Sequence, residues 1–239
     1  MNLWGITDIG AVRSDNQDSY AIERLDGDQT ALAIVCDGMG GALAGNVASS
    51  TAVEAFVASV KQNFAQGAGS GQVMLDAAAA ANERVHELSA AEEAYRGMGT
   101  TLVAALITPE KLYVVNVGDS RCYAIVNGDM TRVTRDHSLV EDLVERGEIT
   151  PEQARNHPRK NLITRAVGVD RSVRVDLFEE ENQGGYLVLC SDGLSNTVTD
   201  EELRREVVAA DKEGCCQRLL RLALERGAPD NVTAVIAQL

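Results

Sequence analysis

Proline and paired cysteine are scarce in this sequence, and each scarcity excludes an architecture. The four prolines fall at expected turns or helix starts, so no proline-rich linker divides the 239 residues. A single domain over residues 1–239 is therefore the simplest organisation. The five cysteines are odd in number and none stands in a CxxC spacing, which argues against a disulfide framework and against a zinc site.

Long apolar runs and an excess of basic residues are also missing. The longest apolar stretches, such as 102–107, are too short to cross a bilayer, and the amino terminus lacks a basic region followed by an apolar core. We therefore expect a cytoplasmic protein with no membrane partner. The 36 acidic and 22 basic residues give a net charge of −14, which argues against nucleic acid as a partner. A phosphate substrate would need bound cations to reverse the local field.

What the sequence does contain is a series of short β segments. Asn127-Gly128 is typical of a type I′ hairpin, and Thr108-Pro109-Glu110 supplies another reversal, so neighbouring strands should be antiparallel. The β segments are expected at 2–8, 19–25, 30–36, 100–107, 111–117, 121–126, 130–134, 173–178, 186–190 and 232–238.

Two pairs of helices accompany these strands. Alanine-rich stretches at about 44–64 and 73–91 are separated by a glycine-rich loop, and a second pair begins at the capping box of Thr199 and continues after Gly214. Hairpin strands interspersed with paired helices predict an α+β fold in which helices cover antiparallel β-sheets. The polar segment at about 138–168, with a capping box at Thr150, is expected to form a mobile flap beside a site.

The most informative pattern is a set of aspartates at the ends of strands. The stretch AIVCDGMGG places Asp37-Gly38 directly after an apolar run, which fits either a simple turn or a ligand held at the tip of a strand. YLVLCSDG repeats this arrangement. Antiparallel pairing could bring all such acids to one end of the sheets. They are Asp18, Asp37, Asp119, Asp192 and Asp230.

A cluster of carboxylates requires a positive charge among them, because like charges repel and raise one another's pKa. Oxygen ligands without cysteine or histidine pairs suit Mg²⁺ or Mn²⁺. Two such ions about 4 Å apart can activate a shared water for displacement at phosphorus. The glycines beside the acids leave room for backbone carbonyls to approach a metal.

A series of short motifs resembles the metal-dependent type 2C serine/threonine protein phosphatases, in particular their short bacterial members. The motifs follow the order of that family and extend over essentially the entire chain. They are RSDNQDS, VCDGMGG, GTT, VGDSR, TRDHS, ITRAVG, CSDGL and DNVT.

The resemblance implies a sandwich of two antiparallel sheets flanked by pairs of α-helices, with a dinuclear site at one edge. It implies that Asp37 bridges two metal ions, that Asp192 and Asp230 complete one coordination sphere, and that the Gly38 carbonyl joins the other. Asp119 would help to hold a third, weaker ion. The expected cofactors are thus two Mn²⁺ or Mg²⁺ ions, with a third at lower affinity.

The resemblance also implies roles beyond direct coordination. Asp18 would belong to the metal site by orienting metal-bound water, and Arg13 would bind the substrate phosphate through its planar guanidinium. The catalytic set is therefore Arg13, Asp18 and Asp37. Without the resemblance, Arg13 would be interpreted as an ordinary surface arginine.

Two positions depart from the pattern of the resembled family. Gln17 stands where many relatives have glutamate, so weaker metal affinity is expected. Met39 stands where animal relatives have a histidine proposed as general acid, so another group must protonate the leaving alkoxide. His137 in TRDHS is a candidate, although a structural role is favoured for it.

The resulting hypothesis is a phosphoprotein phosphatase in which a metal-bridging hydroxide attacks phosphoserine or phosphothreonine directly. Cys36 and Cys190 lack the CxxxxxR spacing of cysteine phosphatases. Expected partners are phosphorylated proteins, including a serine/threonine kinase by family analogy, and the chain is expected to be a monomer. Two alternatives are a catalytically silent relative that binds phosphorylated proteins and a protein whose metals are only structural.

Overall fold

The structure is a computed structural model, and it describes residues 1–40, 44–209, 211 and 214–239. Gly41, the last glycine of AIVCDGMGG, lies outside the described residues. The strands of the described part are β1 Asn2–Asp8, β2 Asp18–Leu25, β3 Thr30–Met39, β4 Gly99–Thr100, β5 Leu102–Ile107, β6 Lys111–Val117, β7 Arg121–Val126, β8 Asp129–Arg132, β9 Asp176–Glu181, β10 Tyr186–Cys190 and β11 Val232–Gln238. The helices are α1 Ala44–Ala65, α2 Ser70–Ala91, α3 Leu139–Glu145, α4 Pro151–Arg155, α5 Asp192–Ser195, α6 Asp200–Val208 and α7 Cys215–Glu225.

The strands form two antiparallel sheets. The first sheet has the order β1-β11-β10-β7-β8, and the second has the order β2-β3-β5-β6-β9, with β4 paired to β3. Asn127 and Gly128 both have positive φ, at 52° and 87°, which is the backbone conformation of the predicted type I′ turn between β7 and β8.

Three apolar layers hold the sandwich together. Along β3, Leu32 and Ile34 pack on α1 and α2, whereas Ala33 and Val35 pack between the two sheets. Because successive side chains of a strand point to opposite faces, a strand buried on both faces has a continuous apolar run. A third cluster joins α6 and α7 to the outer face of the first sheet. The predicted arrangement of two sheets flanked by paired helices is confirmed.

Two strands differ from their sequence-based bounds by three residues. β3 continues past Asp37 because Gly38 pairs with Thr100 and Met39 with Gly99 in β4. β9 lies three residues later than predicted, since its pairing with β6 fixes its position and brings Lys111 opposite the acidic end of the strand. β propensity alone does not encode that cross-strand register.

The segment from Ser138 to Gly168, named the flap here, contains α3 and α4. The bridge Ser138 to Ile163 joins its two ends, and the bridge Thr100 to Val167 ties its exit to β4. The Asn82 side chain accepts a hydrogen bond from the Gly168 amide at 2.8 Å and fixes the exit of the flap against α2. The capping box predicted at Thr150 is present. None of the described helices is both long and apolar enough to cross a membrane.

Candidate metal centre

The predicted acids meet at one end of the sandwich. A cavity of about 280 Å³, named the acidic cleft here, opens between the two sheets. Its described lining includes every predicted site residue except Asp18, which lies just beneath it. These lining residues are Arg13, Asp37, Gly38, Asp119, Asp192 and Asp230.

Asp18 and Asp37 are direct cross-strand partners in the pairing of β2 with β3. Like charges directly opposite one another in a sheet are destabilising. This pair therefore does not stabilise the sheet, and its presence indicates a functional role. Asp18 is 7% exposed, and the Ser191 hydroxyl donates to its Oδ2 at 2.7 Å. Its Oδ1 is buried without any hydrogen-bond partner.

The backbone of Asp37 is held by the two threonines of the GTT motif. The Asp37 amide donates to Thr101 Oγ1 at 2.9 Å, and the Asp37 carbonyl accepts from the Thr101 amide and from Thr100 Oγ1, each at 2.9 Å. Because the main chain is fully engaged, the Asp37 carboxylate is fixed in position at the cleft.

Gly38 occupies a space that no larger residue fits. A Cβ at this position would lie 2.0 Å from the Gly45 carbonyl oxygen and 2.6 Å from the Gln17 carbonyl oxygen. The Gly38 amide also donates to the Gln17 carbonyl at 3.0 Å. This close approach of three backbone segments explains the glycine at this position in physical terms.

The other wall of the cleft comes from the first sheet. Asp192 begins α5, and its Oδ2 accepts from Asn196 Nδ2 at 3.0 Å, whereas its Oδ1 is buried without a partner. Asp230 lies two residues before β11 and accepts from Arg13 Nη2 at 2.7 Å. The acids therefore reach the cleft from both sheets.

Burial raises the pKa values of these carboxyl groups. The pKa of Asp18 rises to about 7, chiefly through burial and against the opposing hydrogen bonds of Thr233 and Ser191. Burial and neighbouring aspartates raise the pKa of Asp37 and of Asp119 well above the usual range. The pKa of Asp192 is raised in the same way. The site thus concentrates more negative charge than it neutralises by itself.

The donor set fits a hard divalent cation. In the described part of the chain, no three His, Cys, Asp or Glu side chains converge as a ready-made metal-binding group. Two buried carboxylate oxygens, on Asp18 and Asp192, nevertheless have no partner, and buried polar atoms without partners cost free energy. An oxygen-only set of this kind suits Mg²⁺ or Mn²⁺.

Both departures noted in the sequence, Gln17 and Met39, line the acidic cleft. His137 is buried away from it, where Nδ1 accepts from the Gly118 amide at 3.1 Å and Nε2 contacts Asp176 at 3.1 Å. Burial lowers its pKa. The structural role favoured for His137 is therefore confirmed, and it does not face the cleft.

Several supporting residues stood within the quoted motifs but received no role from the sequence. Ser191 links Asp18 to the Thr233 amide, which donates to its hydroxyl at 3.0 Å. Asn231 accepts from the Gln17 amide at 2.8 Å and donates to the carbonyls of Ile9 and Asp15. These contacts are long-range, so no local pattern indicates them. Their only signal was their position beside Asp192 and Asp230.

Asp18 predicts an unusual pH dependence of stability in chelator. Its folded pKa of about 7 exceeds the ordinary value of about 4, so the folded state binds the extra proton and is favoured at low pH. That stability is lost as pH rises through 7. Asp18→Asn should therefore raise the free energy of unfolding at pH 8 by a few kcal/mol, which is the order of magnitude that corresponds to the raised pKa of Asp18. At pH 5 the increase should be smaller.

Urea unfolding in chelator between pH 5 and pH 8 measures this difference. The exposed Asp15, in the same loop, supplies the control Asp15→Asn, which should show no such trend. A difference between Asp18→Asn and the parent that does not vary with pH would contradict the assignment.

Comparison with known proteins gives a consistent result. The profile of the family described as "Protein phosphatase 2C" matches residues 11–219. The chain is 40% identical over 233 residues to the serine/threonine protein phosphatase PstP of Mycobacterium tuberculosis, covering 97% of this chain but 43% of that protein. It is 37% identical to the serine/threonine phosphatase stp of Listeria innocua, covering 97% and 93% of the two chains.

A solved structure resembles this one closely. It is the catalytic domain of the serine threonine protein phosphatase PstP in complex with two manganese ions. The TM-score is 0.87 at 35% sequence identity, and the match covers 99% of this chain and 97% of that one. The chain thus spans less than half of the whole Mycobacterium tuberculosis relative, but nearly all of the crystallised domain.

Proposed function

Because this chain belongs to the protein phosphatase 2C family, we propose that it is a metal-dependent phosphoprotein phosphatase acting on phosphoserine and phosphothreonine. The observation that carries the proposal is the acidic cleft, where four aspartates from both sheets line the cavity beside one arginine and Asp18 lies opposite Asp37 in the adjoining strand. Two buried carboxylate oxygens of this group, on Asp18 and Asp192, lack partners. An anionic substrate enters such a cleft only when cations compensate its charge.

We propose that Asp37, Asp192, Asp230 and the Gly38 carbonyl hold two Mn²⁺ or Mg²⁺ ions, and that Asp119 contributes to a third, weaker site. When bound, these ions neutralise the phosphoryl oxygens and lower the pKa of water to give a nucleophile at neutral pH. A role for Asp18 in orienting metal-bound water is supported by its position directly opposite Asp37 in the pairing of β2 with β3 and by its unpartnered Oδ1.

Arg13 is the proposed phosphate-binding residue. It lies at the rim of the cleft with 53% of its side chain exposed, and its guanidinium is paired with Asp230. The Asp230 hydrogen bond raises the pKa of Arg13, so the group is always a cation. A planar guanidinium can hold two phosphate oxygens at once, which orients the phosphoryl group towards the floor of the cleft.

The leaving alkoxide still needs a proton. Met39 has none to give, and the described lining of the cleft contains no histidine. The proton therefore comes from a group other than the general-acid histidine proposed for animal relatives.

A phosphothreonine peptide assay tests the proposed function. Phosphate release should require Mn²⁺ or Mg²⁺, fall to background in excess chelator, and return when metal is added back. A catalytically silent relative would bind the peptide and leave it phosphorylated. Metals of purely structural role would instead lower the melting temperature on removal without any hydrolysis in their presence, and either result would overturn the proposal.

We also propose the cellular setting that the family suggests. The substrates are phosphorylated proteins, including a serine/threonine kinase of the same cell, and the protein acts in the cytoplasm as a monomer. A single catalytic domain over residues 1–239 is supported by the length of the family match and by the coverage of the structural match.

A further inference from the structure

A second cavity adjoins the acidic cleft on the side of the flap. It has a volume of about 340 Å³ and shares two lining residues with the cleft, Asp119 and Asp192. Its outer wall is formed by α3, α4 and the segment that follows them. We name it the flap pocket. A side chain near a phosphoryl group bound in the cleft would therefore find this pocket alongside.

Most charges in the flap pocket neutralise one another. Arg121 holds Asp136 through two contacts of its Nε, at 3.0 and 3.1 Å, and one of its Nη2, at 2.6 Å. Arg132 pairs with Glu141 on α3. These buried or half-buried pairs build the floor and leave little net charge there.

Two further cations on the outer wall have no such carboxylate partner. Neither Arg155 nor Lys160 takes part in an ion pair within the described part of the chain. Most other described arginine and lysine side chains do. Arg155 is in the last turn of α4, and both line the pocket. In a chain with a net charge of −14, unpaired cations at this place stand out.

The remaining acids of the pocket do not cancel these cations once the site is loaded. Asp119 and Asp192 belong to the proposed metal centre, which leaves only Asp200 uncommitted. The pocket beside a metal-loaded centre is thus electropositive and open to an anion.

We propose that the flap pocket binds a second anionic side chain of the protein substrate through Arg155 and Lys160, so that phosphosites with acidic or phosphorylated neighbours are preferred. This inference rests on the proposed function. The anion is a carboxylate or a second phosphate, two sources of the same chemistry. A residue spans about 3.5 Å of extended chain, which places the second anion within a few positions of the reacting residue.

The test compares phosphothreonine peptides that differ only in one neighbour. At each position from −3 to +3 the neighbour is glutamate, a second phosphothreonine or glutamine, and the preference is the ratio of kcat/KM to that of the glutamine peptide. At the best position we expect about a five- to tenfold preference for glutamate, a larger one for phosphothreonine because of its greater charge, and a decline of both with salt.

Charge reversal identifies the residues responsible. Lys160→Glu should remove the preference, and the double variant Arg155→Glu, Lys160→Glu should invert it. Arg221→Glu is the matched control, because Arg221 is exposed on α7, outside the described lining of the pocket. Equal kcat/KM for all peptides with the parent protein, or an equal loss of preference in the Arg221 control, would overturn the proposal.

Binding separates this inference from the proposed function. Non-hydrolysable phosphonate versions of the same peptides are titrated in Mn²⁺ and followed by fluorescence anisotropy. If no peptide is hydrolysed, the proposed function fails, while tighter binding of the acidic peptides would still support the pocket. If the acidic and neutral analogues bind equally, the pocket proposal fails whatever the rate of hydrolysis.

Discussion

Replacement of Asp37 by asparagine is expected to lower kcat on a phosphothreonine peptide about a thousandfold or more. Asp37 is the one acid of the cleft that is both fixed through its backbone by Thr100 and Thr101 and paired in register with Asp18. The substitution preserves shape and removes charge. Losing one preorganised electrostatic element costs about 10²–10³ in rate, and loss of a proposed metal ligand should add to that.

A second measurement shows that the loss arises from metal binding and not from misfolding. In chelator, Asp37→Asn should melt no lower than the parent protein, because it removes one of several like charges with raised pKa values. With Mn²⁺ present, only the parent should gain the stability that a bound ligand confers. Asp76→Asn, on the exposed face of α2, is the control for the same chemical change. More than a tenth of the parental activity in Asp37→Asn would rule out the proposed role of Asp37 in metal binding.

Replacement of Gly38 by alanine is expected to destabilise the protein by about 3 kcal/mol or more. The added Cβ would meet two backbone carbonyl oxygens, at 2.0 and 2.6 Å, and neither can move aside as a flexible side chain would. In a chain of this size, each kcal/mol lowers the melting temperature by about 2–4 °C. Calorimetry and urea unfolding both report the change.

Gly69 provides the matched control for this substitution. A Cβ at Gly69 meets nothing within 4 Å, and its φ of −62° is an ordinary one. Gly69→Ala should therefore change the free energy of unfolding by less than about 0.5 kcal/mol. Equal melting temperatures for the two variants would mean that the strands around Gly38 can separate without cost.

The sequence predicts this fold well because its local signals agree with one another. The turn at Asn127-Gly128, the capping boxes at Thr150 and Thr199 and the apolar runs of the central strands all occur as expected. The largest differences are at β3 and β9, whose bounds depend on partners far away in the chain. Local propensity does not contain that information.

In the candidate site, too, some residues could be predicted from local sequence and others could not. Its aspartates could be identified because each lies close to the end of a strand, and three of them, Asp37, Asp119 and Asp192, also stand beside a glycine. The residues that hold them could not, since Ser191 reaches Asp18 across 173 positions and Asn231 reaches Gln17 across 214. The flap pocket was missed for another reason. Arg155 and Lys160 look like ordinary solvated charges until the ion pairs around them are known.

Because the acids of the cleft come from both sheets, the proposed site is complete only when the two sheets are packed together. Asp18 and Asp37 belong to the second sheet, whereas Asp192 and Asp230 flank strands of the first. A nascent or damaged chain in which the two layers have not yet docked possesses only half of a centre. Such a chain would lack the complete proposed metal centre, so the proposed removal of phosphate would begin only after the two sheets have docked.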